Sequence, residues 1–331
     1  MAEITFLQAI NEAMSEEMRA NKNVVLIGED IGIYGGCFGA SRGMLEEFGT
    51  DQMLETPISE EGFMDLAMGA SMIGMRPIVE IMFGDFSTLV SDGLINHAAK
   101  YKFMTGGQVE VPLVFRAPFG SGTGAAAQHS QSLETMFTNT PGLKIVYPAT
   151  PYDAKGLLKS AIRDNGPVLF FENKLLYRAK GEVPEGDYTI EIGKADIKRE
   201  GTDVSIITYS RMLPVCLEAA EQLAAEGISA EVVDLRSLKP LDTETIIKSV
   251  MKTSRALVVH EAPKFGGFAG EVVAAIMESE AFYHLDAPVA RLGGKEMPVP
   301  YNPDIEKQIV PVIDDVKETV RKLVNNGGVK V

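Results

Sequence analysis

The stretch GLKIVYPATPYDAKGLLKSAIRDNGPVLFFEN (142–173) contains a complete strand–helix–strand unit. GLKIVYP (142–148) and PVLFFEN (167–173) are short apolar runs rich in β-branched and aromatic residues, which is typical of buried strands. Between them, Thr150 and Pro151 provide an N-cap and a first helical residue for the segment TPYDAKGLLKSAIRDNG. Because a helix connects the two strands, we expect them to lie parallel in one sheet.

The same alternation continues on both sides of this unit. VVLIG (24–28), RPIVEIMF (76–83) and VPLVFRA (111–117) are predicted strands, and helical patterns separate them. In the second half, VSIITYS, ISAEVVDLRSL, RALVVHEA and PVARLGG alternate with helical segments in the same way, and a last helix is predicted over 312–326. Apolar strands separated by helices indicate parallel sheets that are covered by helices on both faces.

A polar, charge-rich segment separates the two halves. NKLLYRAKGEVPEGDYTIEIGKADIKREGTD (173–203) contains turn signals at Pro184 and Gly186, and it has the composition of a connector. The fold class predicted from the sequence is therefore α/β, with two three-layer α/β/α domains. We place the first domain over 1–180, the linker over 181–202 and the second domain over 203–331.

Composition and charge exclude several classes of protein. A net charge of −15 on 331 residues disfavours nucleic acid and anionic membranes as partners, because both would repel the chain. The longest apolar stretch, around LAMGASMIGM, is about half as long as a membrane span. Acidic residues stand in the first eighteen positions where a targeting peptide would need bases. Cys37 and Cys216 lack a CxxC pattern and are expected to be reduced, buried thiols, so we expect a soluble, cytoplasmic protein.

The glycine cluster GSGTG (120–124) follows a predicted strand and could suggest a dinucleotide-binding turn. Its spacing is GxGxG rather than GxGxxG, and no strand ending in an acidic residue follows about twenty residues later. No glycine-rich stretch ends in GK[ST], so a P-loop is also absent. The cluster therefore does not indicate nucleotide binding.

Two groups of acidic residues are candidates for chemistry. Glu29 and Asp30 follow the first predicted strand, and ligands of open α/β sheets bind beyond the carboxyl ends of strands. Glu60 and Glu61 stand at a probable helix start after Ser59. The helix dipole alone would favour carboxylates there, but a buried carboxyl could instead donate a proton. The sequence leaves both alternatives open at each place.

His129, in GTGAAAQHSQSLE (122–134), is the histidine in the most polar and least bulky setting. It lacks the sequence context of a metal ligand or of a hydrolase base. A loop imidazole could hydrogen-bond a substrate oxygen or move protons near neutral pH. His97 lies on a predicted helix and is expected to be packed, while His260 and His284 are weaker candidates.

One family combines all of these segments. GEDIGIYGG, ETPISEEGF, EIMFGDFSTLVSD, AAAQHSQSLE, GLKIVYPATPYDAKGLLKSAIRD and DLRSLKPLD occur here in order over nearly the whole chain. Together they resemble the β subunits of the thiamine-diphosphate-dependent first component of 2-oxoacid and acetoin dehydrogenase complexes. The resemblance implies an N-terminal pyrimidine-binding domain and a C-terminal transketolase-like domain.

The resemblance also implies partners. Such β subunits form α2β2 heterotetramers, hold thiamine diphosphate between α and β, and pass an acyl group to lipoamide of an acyltransferase core. Thiamine enzymes hold Mg²⁺ and diphosphate with a GDG motif followed by an Asn, and this chain has no GDG. A partner α subunit is therefore expected to hold the Mg²⁺ and the diphosphate.

The family's functional residues transfer by matching positions. Glu60 matches the carboxyl that exchanges a proton with the pyrimidine ring, whereas Glu61 falls where relatives vary. Glu29, Ile58 and Phe86 match positions that line or stack on the pyrimidine. His129 matches a loop histidine that assists acyl transfer. A possible K⁺ site, formed by backbone oxygens, corresponds to Leu113, Ala161, Ile162, Asp164 and Gly166.

The substrate is harder to assign. SGTGAAAQHSQSLE, ENKLLY and the connector are most similar to acetoin dehydrogenases, which cleave acetoin to acetaldehyde and an acetyl unit. HEAPKFGGFAGE is shared with branched-chain 2-oxoacid enzymes, and the pyruvate enzymes are similar throughout. We favour acetoin and keep pyruvate and branched-chain 2-oxoacids as alternatives. A non-catalytic scaffold is the alternative from another class, and a scaffold would need neither Glu60 nor His129.

Overall fold

The computed structural model describes residues 1–326, and the chain divides into two compact units. Unit 1 comprises Met1–Gly120 and Met136–Ile192. Unit 2 comprises Ser121–Thr135 and the chain from Gly193 onward. The α/β class with two domains is confirmed, because each unit contains a mainly parallel sheet accompanied by helices. The predicted second domain extends to residue 331, and its last five positions lie outside the described residues.

The sheet of unit 1 contains the strands that the apolar runs predict. The strands that unit 1 contributes to this sheet follow the order β6-β7-β5-β4-β2-β3, and each neighbouring pair is parallel. A separate pair, β1 and β8, is antiparallel. The strands of unit 1 are β1 (Ala2–Thr5), β2 (Val24–Gly28), β3 (Met53–Glu55), β4 (Arg76–Glu80), β5 (Val114–Phe119), β6 (Lys144–Val146), β7 (Val168–Asn173) and β8 (Lys180–Val183).

The first and last α-helices of this half begin at a side-chain cap. Thr150 accepts a hydrogen bond from the Asp153 amide and Pro151 is the first helical residue, as the sequence predicts. The first helix has a capping box between Thr5 and Gln8. The helices are α1 (Phe6–Ala20), α2 (Met44–Gln52), α3 (Glu60–Met72), α4 (Tyr101–Met104), α5 (Thr135–Thr138) and α6 (Pro151–Arg163).

Three charged side chains lie in the middle of the sheet of unit 1. The Arg116 guanidinium, on β5, donates to Glu80 on β4 at 2.7 Å and to both oxygens of Glu172 on β7 at 2.7 and 3.0 Å. The Tyr177 hydroxyl donates to Glu172 as well. Burial raises the pKa of Glu80, whereas the nearby Arg116 lowers it. These strands are therefore not apolar throughout, and their charges are tolerated because they are paired.

Unit 2 contains a second sheet with the order β14-β13-β10-β11-β9. The predicted strands pair in parallel there, and β9 adds an antiparallel edge. The strands are β9 (Asp196–Arg199), β10 (Val204–Thr208), β11 (Ala230–Asp234), β12 (Ser237–Lys239), β13 (Ala256–Pro263) and β14 (Ala290–Gly294). The helices are α7 (Met212–Ala224), α8 (Thr243–Thr253), α9 (Ala269–Met277), α10 (Pro303–Glu306) and α11 (Ile313–Asn326).

Two features differ from the expected domain organisation. The predicted linker over 181–202 contains β9 and most of β8, so it includes regular structure. Residues 121–135 group with unit 2 although they interrupt the sequence of unit 1. A continuous first domain over 1–180 does not account for this segment, and the exact domain boundaries stay a prediction. The segment joins unit 2 because carboxylates of that unit bind its backbone.

Candidate active site

Glu29 lies immediately after the fully buried strand β2, where ligands of parallel sheets bind. Its side chain is buried, and its Oε1 atom has no hydrogen-bond partner in the described part of the chain. Burial raises the pKa of Glu29, and the nearby charges of Glu60 and Asp30 raise it further, while the Ser59 amide lowers it. The structure therefore brings Glu29 within electrostatic reach of Glu60.

Glu60 and Glu61 are the first two residues of α3, as the sequence predicts. Ser59 provides no side-chain cap, so the helix start is left to backbone groups and to these acids. Glu60 is half-buried and Glu61 is exposed. Ile58, just before the helix, is 79% exposed.

Phe86 lies in the short 3-10 helix Gly84–Thr88 that follows β4. Its ring is half-buried and packs edge-on against Phe83, with the ring centres 5.8 Å apart. The backbone of the same helix also lies against Phe119, because a Cβ at Gly84 would be 2.3 Å from the Phe119 ring. The aromatic side chain is thus held by its neighbours.

We call Glu29, Ile58, Glu60 and Phe86 the pyrimidine edge, after the ring that the resemblance assigns to them. A buried carboxyl oxygen without a partner needs a hydrogen-bond donor or a proton. Ile58 precedes Ser59, whose amide hydrogen-bonds Glu29, and its exposed apolar side chain offers a surface that a flat ring could cover. These features fit a planar, nitrogen-containing heterocycle such as an aminopyrimidine.

The second candidate region, residues 121–135, is named the His129 loop. Carboxylates of unit 2 bind its first residues. Glu261 accepts from the Ser121 amide at 2.7 Å and from the Ser121 hydroxyl at 2.9 Å. Glu306 accepts from the Gly122 amide at 2.6 Å and from the Gly124 amide at 3.0 Å.

A third carboxyl, Glu134, holds the other end of the loop. It is buried, and its Oε1 accepts from the Tyr209 hydroxyl at 2.7 Å. Burial raises the pKa of Glu134 to about 7, and the negative charge of Glu261 raises it as well, against the lowering effect of the Tyr209 hydrogen bond. Glu134 therefore titrates near neutral pH, unlike an ordinary carboxyl.

His129 lies between these two attachments and is half-buried. Its amide donates to the carbonyl of Ala126 at 3.4 Å, and Ala126 has a φ of 62°. A residue with a side chain in this left-handed region is strained, and such strain is frequent at functional loops. The loop backbone thus has a defined turn just before the imidazole.

A cavity of about 370 Å³ lies in unit 2 along the His129 loop. Ser130, Gln131 and Ser132 line it from the loop, and Glu261 and Lys295 are among its other lining residues. The hydroxyl oxygens of Ser130 and Ser132 are buried and have no hydrogen-bond partner within residues 1–326. The loop therefore presents unused polar groups beside the cavity.

The five positions of the possible K⁺ site belong to unit 1, and the carbonyl oxygens of four of them already accept hydrogen bonds. Arg76 donates to the carbonyls of Ile162 at 3.0 Å and of Asp164 at 2.8 Å. The Leu113 and Ala161 carbonyls accept from backbone amides. Each carbonyl has a second lone pair that can accept an ion, and the K⁺ site stays a prediction.

The remaining histidines do not form a cluster with His129. His97 is half-buried on the π-helix Gly93–Ala98 near Asp65 and Asp92, which agrees with a packed histidine. His260 is buried on β13, and burial lowers its pKa to about 4. His284 is exposed.

Both cysteines are free, as expected, but the expectation that both are buried is wrong for Cys37. Cys37 is exposed because it lies in the glycine-rich loop after β2 rather than in a strand or helix. Cys216 is buried in α7, and burial raises the pKa of its thiol to about 12.

The carboxylates that hold the His129 loop are missing from the sequence-based candidates. Glu134 stands at the end of the loop and could have been recognised as its boundary. Glu261 and Glu306 are far from the loop in sequence. Glu261 lies in the segment HEAPKFGGFAGE, but that segment gives no sign of a contact with the loop. Only the three-dimensional arrangement reveals their contacts.

No helix within residues 1–326 is long and apolar enough to cross a membrane. The same part of the chain contains no cluster of three or more His, Cys, Asp or Glu side chains suited to a metal ion.

Two family models match the chain and together cover most of it. The model of the transketolase pyrimidine binding domain matches residues 2–180, and that of the transketolase C-terminal domain matches residues 193–316. A solved structure of a split-gene transketolase, described as an inactive β4 tetramer, has a TM-score of 0.80 over 97% of this chain and 98% of its own. At 23% identity, this likeness supports the fold alone.

Three relatives from Bacillus subtilis are nearly equally similar to the chain. The 2-oxoisovalerate dehydrogenase subunit beta is 47% identical and covers 98% of this chain and 99% of the relative. The acetoin:2,6-dichlorophenolindophenol oxidoreductase subunit beta is 47% identical and covers 97% of both. The pyruvate dehydrogenase E1 component subunit beta is 48% identical and covers 98% of this chain and 99% of the relative.

Proposed function

We propose that this chain supplies the pyrimidine half of an active site that it shares with an α subunit. The chain belongs to the β subunits of the thiamine-diphosphate-dependent first components of 2-oxoacid and acetoin dehydrogenase complexes. The observation that carries the proposal is the pyrimidine edge. There a buried Glu29 oxygen lacks a partner beside Glu60, at the carboxyl end of a parallel strand.

The proposed roles within this edge follow from the chemistry of its side chains. Thiamine diphosphate, when bound, supplies a carbanion that cleaves a C–C bond next to a carbonyl. Glu60 exchanges a proton with a nitrogen of the pyrimidine ring. Its carboxyl is half-buried at the start of a helix, so one side of it is open to the ring. Glu29 offers a second carboxyl oxygen to the ring, and Ile58 and Phe86 provide apolar contact.

The α subunit is proposed to complete the site in an α2β2 heterotetramer. The chain has no GDG motif, the sequence feature with which thiamine enzymes hold Mg²⁺ and diphosphate. We assign the Mg²⁺ and the diphosphate to the α subunit. K⁺ remains part of the proposal only as a possible structural ion at the turn containing Asp164.

His129 is proposed to assist acyl transfer to lipoamide of an acyltransferase core. An imidazole on a loop attached at both ends can donate to an oxygen that develops charge, and it can move a proton near neutral pH. The polar groups of Ser130 and Ser132 lie on the same loop. A scaffold without catalysis would have no use for this arrangement.

Acetoin is the substrate that we propose, with cleavage to acetaldehyde and an acetyl unit. The support is local, since the loop SGTGAAAQHSQSLE and the segment ENKLLY are most similar to acetoin enzymes. The three Bacillus relatives act on different substrates by name and are 47 to 48% identical, so whole-chain similarity favours none of them. Pyruvate and branched-chain 2-oxoacids are the alternatives.

A cytoplasmic location is part of the proposal. Both cysteines are free thiols, which agrees with a reducing compartment.

The deciding experiment is co-expression with an α subunit, followed by a comparison of substrates. The purified complex is assayed with acetoin, pyruvate and branched-chain 2-oxoacids in the presence of thiamine diphosphate and Mg²⁺. We expect the highest kcat/KM for acetoin. A higher value for either 2-oxoacid class would replace acetoin, and inactivity with all three would remove the enzyme assignment.

Calorimetry tests the shared site separately. The chain alone should bind thiamine diphosphate poorly, because the groups that hold the diphosphate are missing, and the complex should bind it tightly. Equally tight binding by the isolated chain would contradict the assignment of the diphosphate to the α subunit.

A further inference from the structure

We propose that Glu306, assisted by Glu261, is a positioning residue that fixes the His129 loop. The proposal rests on the role given above to His129, and it concerns how the loop is held rather than what the imidazole does. Glu306 touches the loop backbone through hydrogen bonds and has no place among the sequence-based candidates.

Glu306 binds the loop with both of its carboxylate oxygens. Oε1 accepts from the Gly122 amide at 2.6 Å and Oε2 accepts from the Gly124 amide at 3.0 Å. The side chain is only 2% exposed, so water competes little for these hydrogen bonds. Hydrogen bonds to an ionised acceptor are stronger than those between neutral groups.

The glycines of GSGTG explain why the backbone can enclose a carboxylate. Gly122 and Gly124 have φ values of 102° and 70°, a region that disfavours residues with a side chain. Alternating conformations of this kind turn successive amides toward one point and form an anion-binding concavity. The glycine cluster therefore binds an anion, but that anion is the protein's own Glu306 rather than a phosphate.

Glu306 is itself held firmly in unit 2. It ends the short helix α10, where Asn302 caps the first turn and Pro303 is the first helical residue. The Glu306 carbonyl accepts from the Ile309 amide, and the Ile309 carbonyl accepts from the Lys295 amide next to β14. The carboxylate is thus connected to the sheet of unit 2 by backbone hydrogen bonds.

Glu261 provides a second, adjacent attachment. It accepts from both the amide and the hydroxyl of Ser121, and the Arg211 guanidinium donates to Glu261 at 2.8 Å and to the Ser121 carbonyl at 3.0 Å. Arg211 therefore pairs the negative charge of Glu261 while it holds the same loop residue. The two carboxylates together define the path of residues 121–124.

The residues between this attachment and His129 are small. Gly124 is followed by three alanines and Gln128, and such side chains bury little surface of their own. The segment gains few packing contacts, so its conformation depends on its ends. Loss of the Glu306 contact should therefore loosen the backbone that carries His129.

The test uses the complex of this chain with its α subunit and three variants. Glu306→Gln keeps one acceptor oxygen and leaves one glycine amide facing an NH₂ group, and Glu306→Ala removes both acceptors. Asp304→Asn is the matched control, because it neutralises an exposed carboxylate on the same short helix. Amide hydrogen exchange of residues 121–130 is measured together with acyl transfer to lipoamide.

For Glu306→Gln we expect exchange of the loop amides to become faster by about tenfold or more, as for the loss of one strong hydrogen bond. Acyl transfer should fall several-fold, whereas cofactor binding at the pyrimidine edge should stay unchanged. In a His129→Ala background, Glu306→Gln should cause no further loss of acyl transfer, because Glu306 acts through the imidazole.

Glu306→Ala should accelerate amide exchange and reduce acyl transfer more than Glu306→Gln does. Asp304→Asn should change neither the exchange nor the acyl transfer.

The outcomes separate this proposal from the proposed function. Unchanged loop exchange in folded Glu306→Gln, or an equal loss of acyl transfer with and without His129, would overturn the positioning role. Faster exchange with unchanged acyl transfer would also overturn it, because the loop would then be loosened without any effect on the imidazole. The proposed role of His129 is tested separately, by the loss of acyl transfer in His129→Ala with Glu306 intact.

Discussion

The pyrimidine edge and the His129 loop both depend on glutamates, but they use them in opposite ways. In unit 1, Glu29 is buried with one oxygen lacking a partner, and its pKa is raised by burial and by Glu60. In unit 2, Glu261 and Glu306 accept hydrogen bonds from the backbone of the loop. One set of carboxyls is available to a ligand, and the other holds the protein.

This difference gives a physical criterion for the role of an acidic residue. A buried oxygen without a partner is unfavourable unless a ligand or a proton satisfies it. A carboxylate whose two oxygens both accept from amides has little capacity left for chemistry. Substitution at the pyrimidine edge should therefore change the reaction, and substitution at the loop carboxylates should change the structure first.

The largest effect is expected for Glu60→Gln in the complex with the α subunit. The amide cannot exchange a proton with the pyrimidine, so turnover should fall by about 10²-fold or more, the usual contribution of a proton-transferring side chain. Steady-state kinetics measures the loss, and size-exclusion chromatography checks that the complex still assembles.

Glu61→Gln is the matched control for this prediction. Glu61 shares the first turn of α3 and is exposed, so its variant should keep nearly full turnover. Normal turnover of Glu60→Gln, or an equal loss in both variants, would show that the two acids serve the helix start instead.

The next effect concerns the imidazole. His129→Ala should reduce acyl transfer to lipoamide by about 10²-fold, because a donor and proton carrier is lost. Binding of thiamine diphosphate should be unchanged, since the pyrimidine edge is intact. His284→Ala replaces an exposed histidine of the same unit and serves as the control. Failure of His129→Ala to assemble would make His129 a structural residue.

A smaller effect, on stability, is expected at Glu134. The folded chain holds the Glu134 proton up to about pH 7, whereas the unfolded chain releases it near the ordinary value of 4.5. The folded state therefore binds more protons in this window, and its stability falls as pH rises from 4.5 to 7. Glu134→Gln removes this pH-dependent decrease in stability, because the amide does not titrate, and its oxygen still accepts from the Tyr209 hydroxyl.

We expect Glu134→Gln to be more stable than the wild type by about 1 to 2 kcal/mol near pH 8, and nearly equal to it near pH 5. Urea denaturation at the two pH values measures the difference. Glu296→Gln, an exposed acid of the same unit, should show no such pH dependence. A variant less stable than the wild type at both pH values would indicate that Glu134 is ionised and required.

The smallest effect is expected for Ser121→Ala. The hydroxyl donates to Glu261, but the Ser121 amide donates to the same oxygen and remains in the variant. The free energy of unfolding should drop by less than about 1 kcal/mol, the contribution of one typical hydrogen bond. Thermal unfolding checks this. A loss as large as that of Glu306→Ala would mean that side chains, rather than backbone amides, attach the loop.

Much of the fold could be predicted because its signals are local. The runs at 24–28 and 167–173 became β2 and β7 with little change, and the cap formed by Thr150 and Pro151 starts α6 as expected. The buried Arg116 network was not predicted, because a charge within a strand gives no hint of the partners that neutralise it on neighbouring strands.

The sequence by itself determined the α/β class, the alternation of strands and helices, and a family membership that names Glu60 and His129 as candidates. These follow from periodicity, caps and ordered motifs, which depend on neighbouring residues. Only the tertiary structure decided that residues 121–135 group with unit 2, and that the glycine cluster encloses Glu306. The glycine-rich sequence is the same whether its backbone amides donate to a phosphate, to water or to a carboxylate 182 residues away. Which of these partners the amides meet is decided by tertiary packing.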